Sequence, residues 1–273
     1  MFFRNIIALI LILGLFSCSE ESRVYVEDTS SIKLFEKIEL KDSKLLFNNR
    51  ITETPQQNAI NYDGMLQGAG VAILDVDNDG FQDVFFASNQ EGDKLFRNKG
   101  NFVFEDITSK AGISKINWST GVAVVDINND GFDDIYVCKF LFDDQERLKN
   151  VFYINNGDGT FTNKAEELGL ADSGYGIMAN FFDFDRDGDL DVYLPNQPPN
   201  SLRLKSALKG KINYAFTDRL FRNDNGRFTD ITIPAGIQNY SYSLSATTLD
   251  YNQDGWPDIF VANDYLEQDY LYI

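Results

Sequence analysis

Asp75-Val76-Asp77-Asn78-Asp79-Gly80-Phe81-Gln82-Asp83 carries oxygen side chains at its first, third, fifth and ninth positions and glycine at its sixth. The pattern returns as Asp126-Ile127-Asn128-Asn129-Asp130-Gly131-Phe132-Asp133-Asp134 and as Asp183-Phe184-Asp185-Arg186-Asp187-Gly188-Asp189-Leu190-Asp191. The fourth copy is Asp250-Tyr251-Asn252-Gln253-Asp254-Gly255-Trp256-Pro257-Asp258. Their starts lie 51, 57 and 67 residues apart. A period of that length, with one loop at one place in each unit, identifies a repeat protein.

The flanks repeat with the loops. An apolar segment precedes each one: Gly70 to Leu74, Gly121 to Val125, Met178 to Phe182 and Ser245 to Leu249. A β-branched and aromatic run follows, starting at Val84, Ile135, Val192 and Ile259. These compositions predict strands. A third strand is predicted at Lys94 to Asn98, Val151 to Asn155 and Arg219 to Asn223, each followed by an Asn/Asp/Gly turn. A fourth begins at Phe102, Phe161 and Phe228, and the units close on Ala111-Gly112-Ile113, Leu168-Gly169-Leu170 and Ala235-Gly236-Ile237. Four short strands per unit predict an all-β fold of β-propeller blades. A sandwich would give many strands but not this period. The blades are expected at about residues 68–117, 118–173, 174–239 and 240–273, the last incomplete, so about three and a half are present and a fragment of a larger ring is expected. Residues 44 to 54 read as an outer strand lacking its blade, so 44–67 is a candidate ring-closing strand. The longest spacing contains an insertion from Pro195 to Phe216, with Arg203, Lys205, Lys209 and Lys211, read as a rim feature.

The loops carry the chemistry. The candidate metal ligands are Asp75, Asp77, Asp79 and Asp83; Asp126, Asn128, Asp130 and Asp134; Asp183, Asp185, Asp187 and Asp191; and Asp250, Asn252, Asp254 and Asp258. Glycine at six lets the backbone turn where a Cβ would clash. Carboxylates, a carbonyl at position seven and water make a shell of about six to eight oxygens, which suits Ca²⁺ better than Mg²⁺, with up to four ions. The first half also fits an EF-hand loop. The second half does not, because position twelve is Phe86, Val137, Leu194 or Val261 rather than Glu. Asn at position three in loops 2 and 4 lowers their charge, so weaker binding is expected there.

These units resemble FG-GAP/VCBS repeats, the blades of integrin α-subunit-like propellers. Gly-Val-Ala before the loop, Asn-Gly before Phe and the terminal Ala-Gly-Ile are also similar to exported bacterial members related to the cartilage acidic protein family. The resemblance covers about residues 60 to 273. It implies calcium-braced propellers used in adhesion and recognition, sometimes joined to catalytic domains.

Asp and Glu number 42 against 24 Lys and Arg, for a net charge of −18, and histidine is absent. Absence of histidine excludes His-based triads and His-ligated metal centres. The acidity argues against nucleic acid as a partner. Fourteen of the acids are Asp at ligand positions, so four Ca²⁺ would bring the charge to −10. At the N-terminus, residues 1–17 read as a signal peptide with an apolar stretch from Ile6 to Phe16, too short to span a membrane. Leu15-Phe16-Ser17-Cys18 resembles a bacterial lipobox with Cys18 lipidated, and residues 18–43 read as a tether. An exported outer-membrane lipoprotein is expected, touching the membrane through its lipid alone. Cys138, among Ile135, Tyr136 and Val137, reads as a buried free thiol.

Two functions compete. One is a non-catalytic adhesion or scaffold module for a protein or glycan, with Trp118, Tyr175, Tyr240 and Tyr242 either stacking on ligand or packing at strand starts. The alternative is the propeller part of a carbohydrate-active enzyme. Glu53, Glu105, Asp106, Glu166, Glu167 and Asp264 are spare acids without a recognisable constellation.

Overall fold

The computed structural model describes residues 35–61, 64–115, 118–140, 148–197, 214–264 and 268–273. The signal segment, Cys18 and the four basic residues of the insertion lie outside the described residues. The chain divides into a unit ending at Lys37 and a unit from Ile38 to Ile273, which holds the repeats. Among the described residues, no helix is long and apolar enough to cross a membrane.

Each repeat folds into its own antiparallel sheet with strands in sequence order. Blade 1 is β1 (Val71–Leu74), β2 (Asp83–Phe86), β3 (Lys94–Asn98) and β4 (Phe104–Asp106). Blade 2 is β5 (Ser119–Val125), β6 (Asp134–Lys139), β7 (Val151–Asn155) and β8 (Phe161–Asn163). Blade 3 is β9 (Asn180–Phe182), β10 (Asp191–Leu194), β11 (Arg219–Asn223) and β12 (Phe228–Asp230). Blade 4 contributes β13 (Ser243–Leu249), β14 (Asp258–Asn263) and β15 (Tyr270–Tyr272). First strands of neighbouring blades lie side by side, β1 by β5 and β9 by β13. This is the all-β blade organisation that the period predicts. One-turn helices stand at α1 (Leu40–Ser43) and α2 (Ala165–Leu168).

The cores lie between blades. Along β6, Ile135 and Val137 pack into the core shared with blade 1, while Tyr136 and Cys138 pack into the core shared with blade 3. Being buried on both faces, β6 needs an unbroken apolar run rather than alternation. Ile135 and Val137 each contribute roughly 1.5–3 kcal/mol on burial. Cys138 is a buried free thiol, and burial pushes its pKa up. Blade-to-blade packing is close at the first strands. A Cβ on Gly121 would lie 2.2 Å from the Ile177 carbonyl oxygen. The unit-closing motif is also a joint, since Phe161 N donates to Ala111 O at 2.8 Å.

One expectation is corrected, and one choice between two readings is decided. Residues 44 to 54 form no strand. The segment is held instead through side chains against the end of β2. Phe47 stacks on Phe86 at 4.4 Å, Asn49 Nδ2 donates to Asn89 Oδ1 at 2.7 Å, and Thr52 N donates to Gln90 Oε1 at 2.6 Å. The aromatics offered for ligand stacking are mostly packing residues. Trp118, Tyr175 and Tyr242 are 2%, 8% and 3% exposed, and Tyr240 alone of the four is half-buried.

Candidate metal centre

Each loop joins the first strand of a blade to the second and turns on two left-handed residues. Glycine at position six has φ of 87°, 86°, 98° and 90° in loops 1 to 4. Position four is also left-handed, with Asn78, Asn129, Arg186 and Gln253 at 54°, 55°, 63° and 61°. The sequence reading explained the glycines and missed position four. Asn at two of its four copies was the available signal, because Asn is enriched in that conformation.

The ligand positions divide the work. Position one receives the turn: Gly80 N donates to Asp75 Oδ2 at 2.9 Å, with the same bond at Asp126, Asp183 and Asp250. Position five caps position seven: Phe81 N donates to Asp79 Oδ1 at 2.9 Å, and the bond recurs at Asp130, Asp187 and Asp254. Position nine is buried and staples the blade. Asp134 accepts Ile127 N at 3.1 Å and Asn155 N at 2.7 Å, one on each oxygen. Asp83 does the same for Val76 and Asn98, and Asp191 for Phe184 and Asn223. Asp258 accepts Tyr251 N at 2.7 Å. Burial pushes the Asp134 and Asp191 carboxyls up to about 6, with acidic loop neighbours adding to the rise. Burial likewise raises Asp83 and Asp185.

Three carboxylates converge in loops 1 and 3. Oxygens of Asp75, Asp77 and Asp83 lie within 4.8 Å of one another, as do those of Asp183, Asp185 and Asp191. Asp79 and Asp187 stand outside these groups, and among the described residues loops 2 and 4 bring no comparable triple together. The difference sits at position three. Asn128 accepts Asp130 N at 3.0 Å and donates to Asp130 Oδ2 at 2.8 Å, so its amide is spent inside the loop. Asn252 makes the same pair of bonds to Asp254. Where position three is Asp, oxygens are left over: Asp77 Oδ1, Asp183 Oδ1 and Asp185 Oδ1 are buried and have no hydrogen-bond partner. A buried carboxylate oxygen without a donor is costly. A hard cation satisfies it, and these oxygen-only sets fit Ca²⁺.

The loops also touch one another. Asn78 Nδ2 donates to Gly131 O at 2.9 Å, Asp133 Oδ2 accepts Asp75 N at 3.1 Å, and Arg186 sits 5.2 Å from the centre of the Trp256 ring. A second repeated device lies at the other end of the second strand. The residue before the third strand accepts an N–H at or just past the end of the second: Asp93 from Ser88, Asn150 from Lys139, Asp218 from Asn196 and Asp269 from Asn263. Sequence reasoning missed this, although an Asp or Asn at the same place in every repeat was visible. Of the spare acids, Asp106 pairs with Lys94 at 2.9 Å and Glu166 with Lys149 at 2.8 Å.

Comparisons place the chain among known proteins. It is 28% identical over 213 residues to human Cartilage acidic protein 1, covering 73% of this chain and 29% of the relative. The protein of Xenopus tropicalis is 31% identical over 120 residues, covering 42% of this chain and 17% of the relative. The chain thus spans less than a third of the length of these curated relatives. A solved structure of an Agrocybe aegerita lectin, described as recognising non-reducing terminal N-acetylglucosamine, has a TM-score of 0.35 and 18% identity. It covers 69% of this chain and 45% of the lectin, a likeness too loose to carry an argument. A family model described as FG-GAP-like repeat matches residues 75–137, 140–194 and 213–261, more than half of the chain. Each of the three matches begins in one blade and ends in the second strand of the next, so the matches straddle the interblade cores. The chain belongs to the FG-GAP-like repeat family.

Proposed function

We propose that this chain is a calcium-braced, non-catalytic binding or scaffold module for a protein or glycan, exported and held at the outer membrane by a lipid on Cys18. The observation that carries the calcium reading is the set of partnerless buried oxygens on Asp77, Asp183 and Asp185 within converging carboxylate triples. The bound ion would be held by Asp75, Asp77 and Asp83 in loop 1 and by Asp183, Asp185 and Asp191 in loop 3. It supplies positive charge that relieves repulsion among carboxylates and ties the first strand of a blade to the second. Loops 2 and 4 have one carboxylate fewer and an amide already engaged, which supports weaker binding there. The lipid anchor and envelope location rest on the Leu15-to-Cys18 motif. The binding role rests on the repeat family, and a fold alone does not fix a ligand.

Melting in EDTA against millimolar Ca²⁺ tests the first part. An ion that binds the folded state alone adds about 2.7 kcal/mol per site at a hundredfold excess over Kd. An unchanged melting temperature refutes the calcium reading. Screening the purified protein against glycans, for retention and for bond cleavage, tests the second. Cleavage overturns the non-catalytic assignment.

A further inference from the structure

We infer that Arg97 is an internal counter-cation of the loop 1 carboxylates, and that it sets loop 1 as a weaker Ca²⁺ site than loop 3. The inference rests on the calcium reading above. It stands on the following geometry.

Arg97 lies on β3, and its Nη2 reaches into loop 1. It pairs with Asp77 Oδ2 and, at 3.3 Å, with Asp79 Oδ2. It bridges positions three and five, the task that the Asn128 and Asn252 amides perform within loops 2 and 4. The corresponding residues beside those two loops are Ile154 and Ile273, which carry no charge. A cation on the third strand therefore accompanies Asp at position three, and an apolar residue accompanies Asn. In charge terms, four carboxylates less one guanidinium leave −3 in loop 1, the same as the three carboxylates of loop 2 or loop 4.

Loop 3 has the same Asp and the same Arg, with the arginine turned elsewhere. Arg222 donates to Asp224 Oδ2 from Nε at 3.2 Å and from Nη2 at 2.9 Å. In blade 1 the residue two places after the arginine is Lys99 rather than Asp. A lysine there offers Arg97 no outward anchor, so Arg97 turns inward. Its fit is incomplete, because Arg97 Nε is buried without a partner and Asp77 Oδ1 is left over beside it. Calcium binding at loop 1 would compete with this guanidinium for Asp77, whereas at loop 3 the arginine is paired with Asp224.

The test reads loop 1 by itself. In an F81W/W256F background, the tryptophan at position seven of loop 1 sensitises Tb³⁺ luminescence, and Ca²⁺ competition gives the affinity of that loop. R97M is expected to tighten Ca²⁺ binding at loop 1 by at least about tenfold, since a unit charge a few ångström from the ion is removed. It is also expected to enlarge the Ca²⁺-induced rise in melting temperature. R97Q is the second variant, with the same expected direction, should R97M fold poorly. Unchanged or weaker binding in the arginine variants overturns the inference while leaving the calcium reading in place. Calorimetry of the native protein showing no Ca²⁺ uptake at any loop overturns both.

Discussion

Replacing Lys139 with Met breaks a buried ion pair between blades 1 and 2. Lys139 Nζ lies 3.3 Å from Asp93 Oδ2 and 2.5 Å from Ser119 Oγ, and both charged side chains are fully buried. Burial pulls the lysine's pKa down, and Asp93 works against that fall. Methionine keeps the length and apolar stem but leaves Asp93 without its cation. Removing one partner of a buried pair costs about 3–5 kcal/mol. For a domain of this size each kcal/mol moves the melting temperature by about 2–4 °C, so a fall of roughly 6–20 °C is expected. D93N in the same chain restores most of that stability. The Asn retains an oxygen for Ser88 N, which Asp93 now accepts at 2.9 Å, and no isolated charge remains. Urea denaturation of wild type, K139M, D93N and the double variant measures the coupling directly. A K139M protein within about 1 kcal/mol of wild type, or additive single effects, would refute the reasoning.

Asp218 occupies the matching place between blades 3 and 4, but Asn263 stands where blade 2 has Lys139. Burial without a cation pushes its carboxyl up to about 7, despite hydrogen bonds from Asn196 N, Tyr193 Oη, Ser243 Oγ and Asn239 Nδ2. A raised carboxyl contributes stability that is full below its unfolded value and lost as pH rises through the folded one. The urea midpoint of wild type minus that of D218N should therefore fall between about pH 4 and pH 7, and a flat difference contradicts the assignment. G121A should be more destabilising than G131A, because its Cβ meets the Ile177 backbone whereas the Cβ on Gly131 meets nothing within 4 Å. G131A still pays for its φ of 86°, about 1–2 kcal/mol; equal costs in thermal melts would refute the close blade-to-blade contact at Gly121. D130A should lose Ca²⁺ affinity at loop 2 with little change in EDTA stability, whereas D134A should lower stability even in EDTA by leaving Ile127 N and Asn155 N without acceptors. Calorimetry with parallel denaturation checks both halves.

The sequence by itself determined the repeat, the strand order within each blade and the oxygen-bearing loops. All of these are short-range patterns: a nine-residue loop closes on its own backbone, and a strand's composition reflects burial on one face or two. Even the difference between loops was legible, since Asn128 and Asn252 stand where Asp77 and Asp185 do. Tertiary structure decided what each carboxylate is for. Position nine looked like one more ligand, and its role as a staple appears only once Asn98, Asn155 and Asn223, each at the far end of a third strand, arrive beside it. The aromatics at strand starts offered two readings, ligand platform or packing, and the burial of three of them decides for packing. Residues 44 to 54 read as a strand, but Phe47, Asn49 and Thr52 are held by Phe86, Asn89 and Gln90 rather than by a ladder, and only the fold brings those partners beside them. Arg97 and Arg222 are the same letter at the same place in their repeats. Which one enters a loop was decided by whether Lys99 or Asp224 stood beside it, because a flexible guanidinium goes to the nearest carboxylate that folding leaves within its reach.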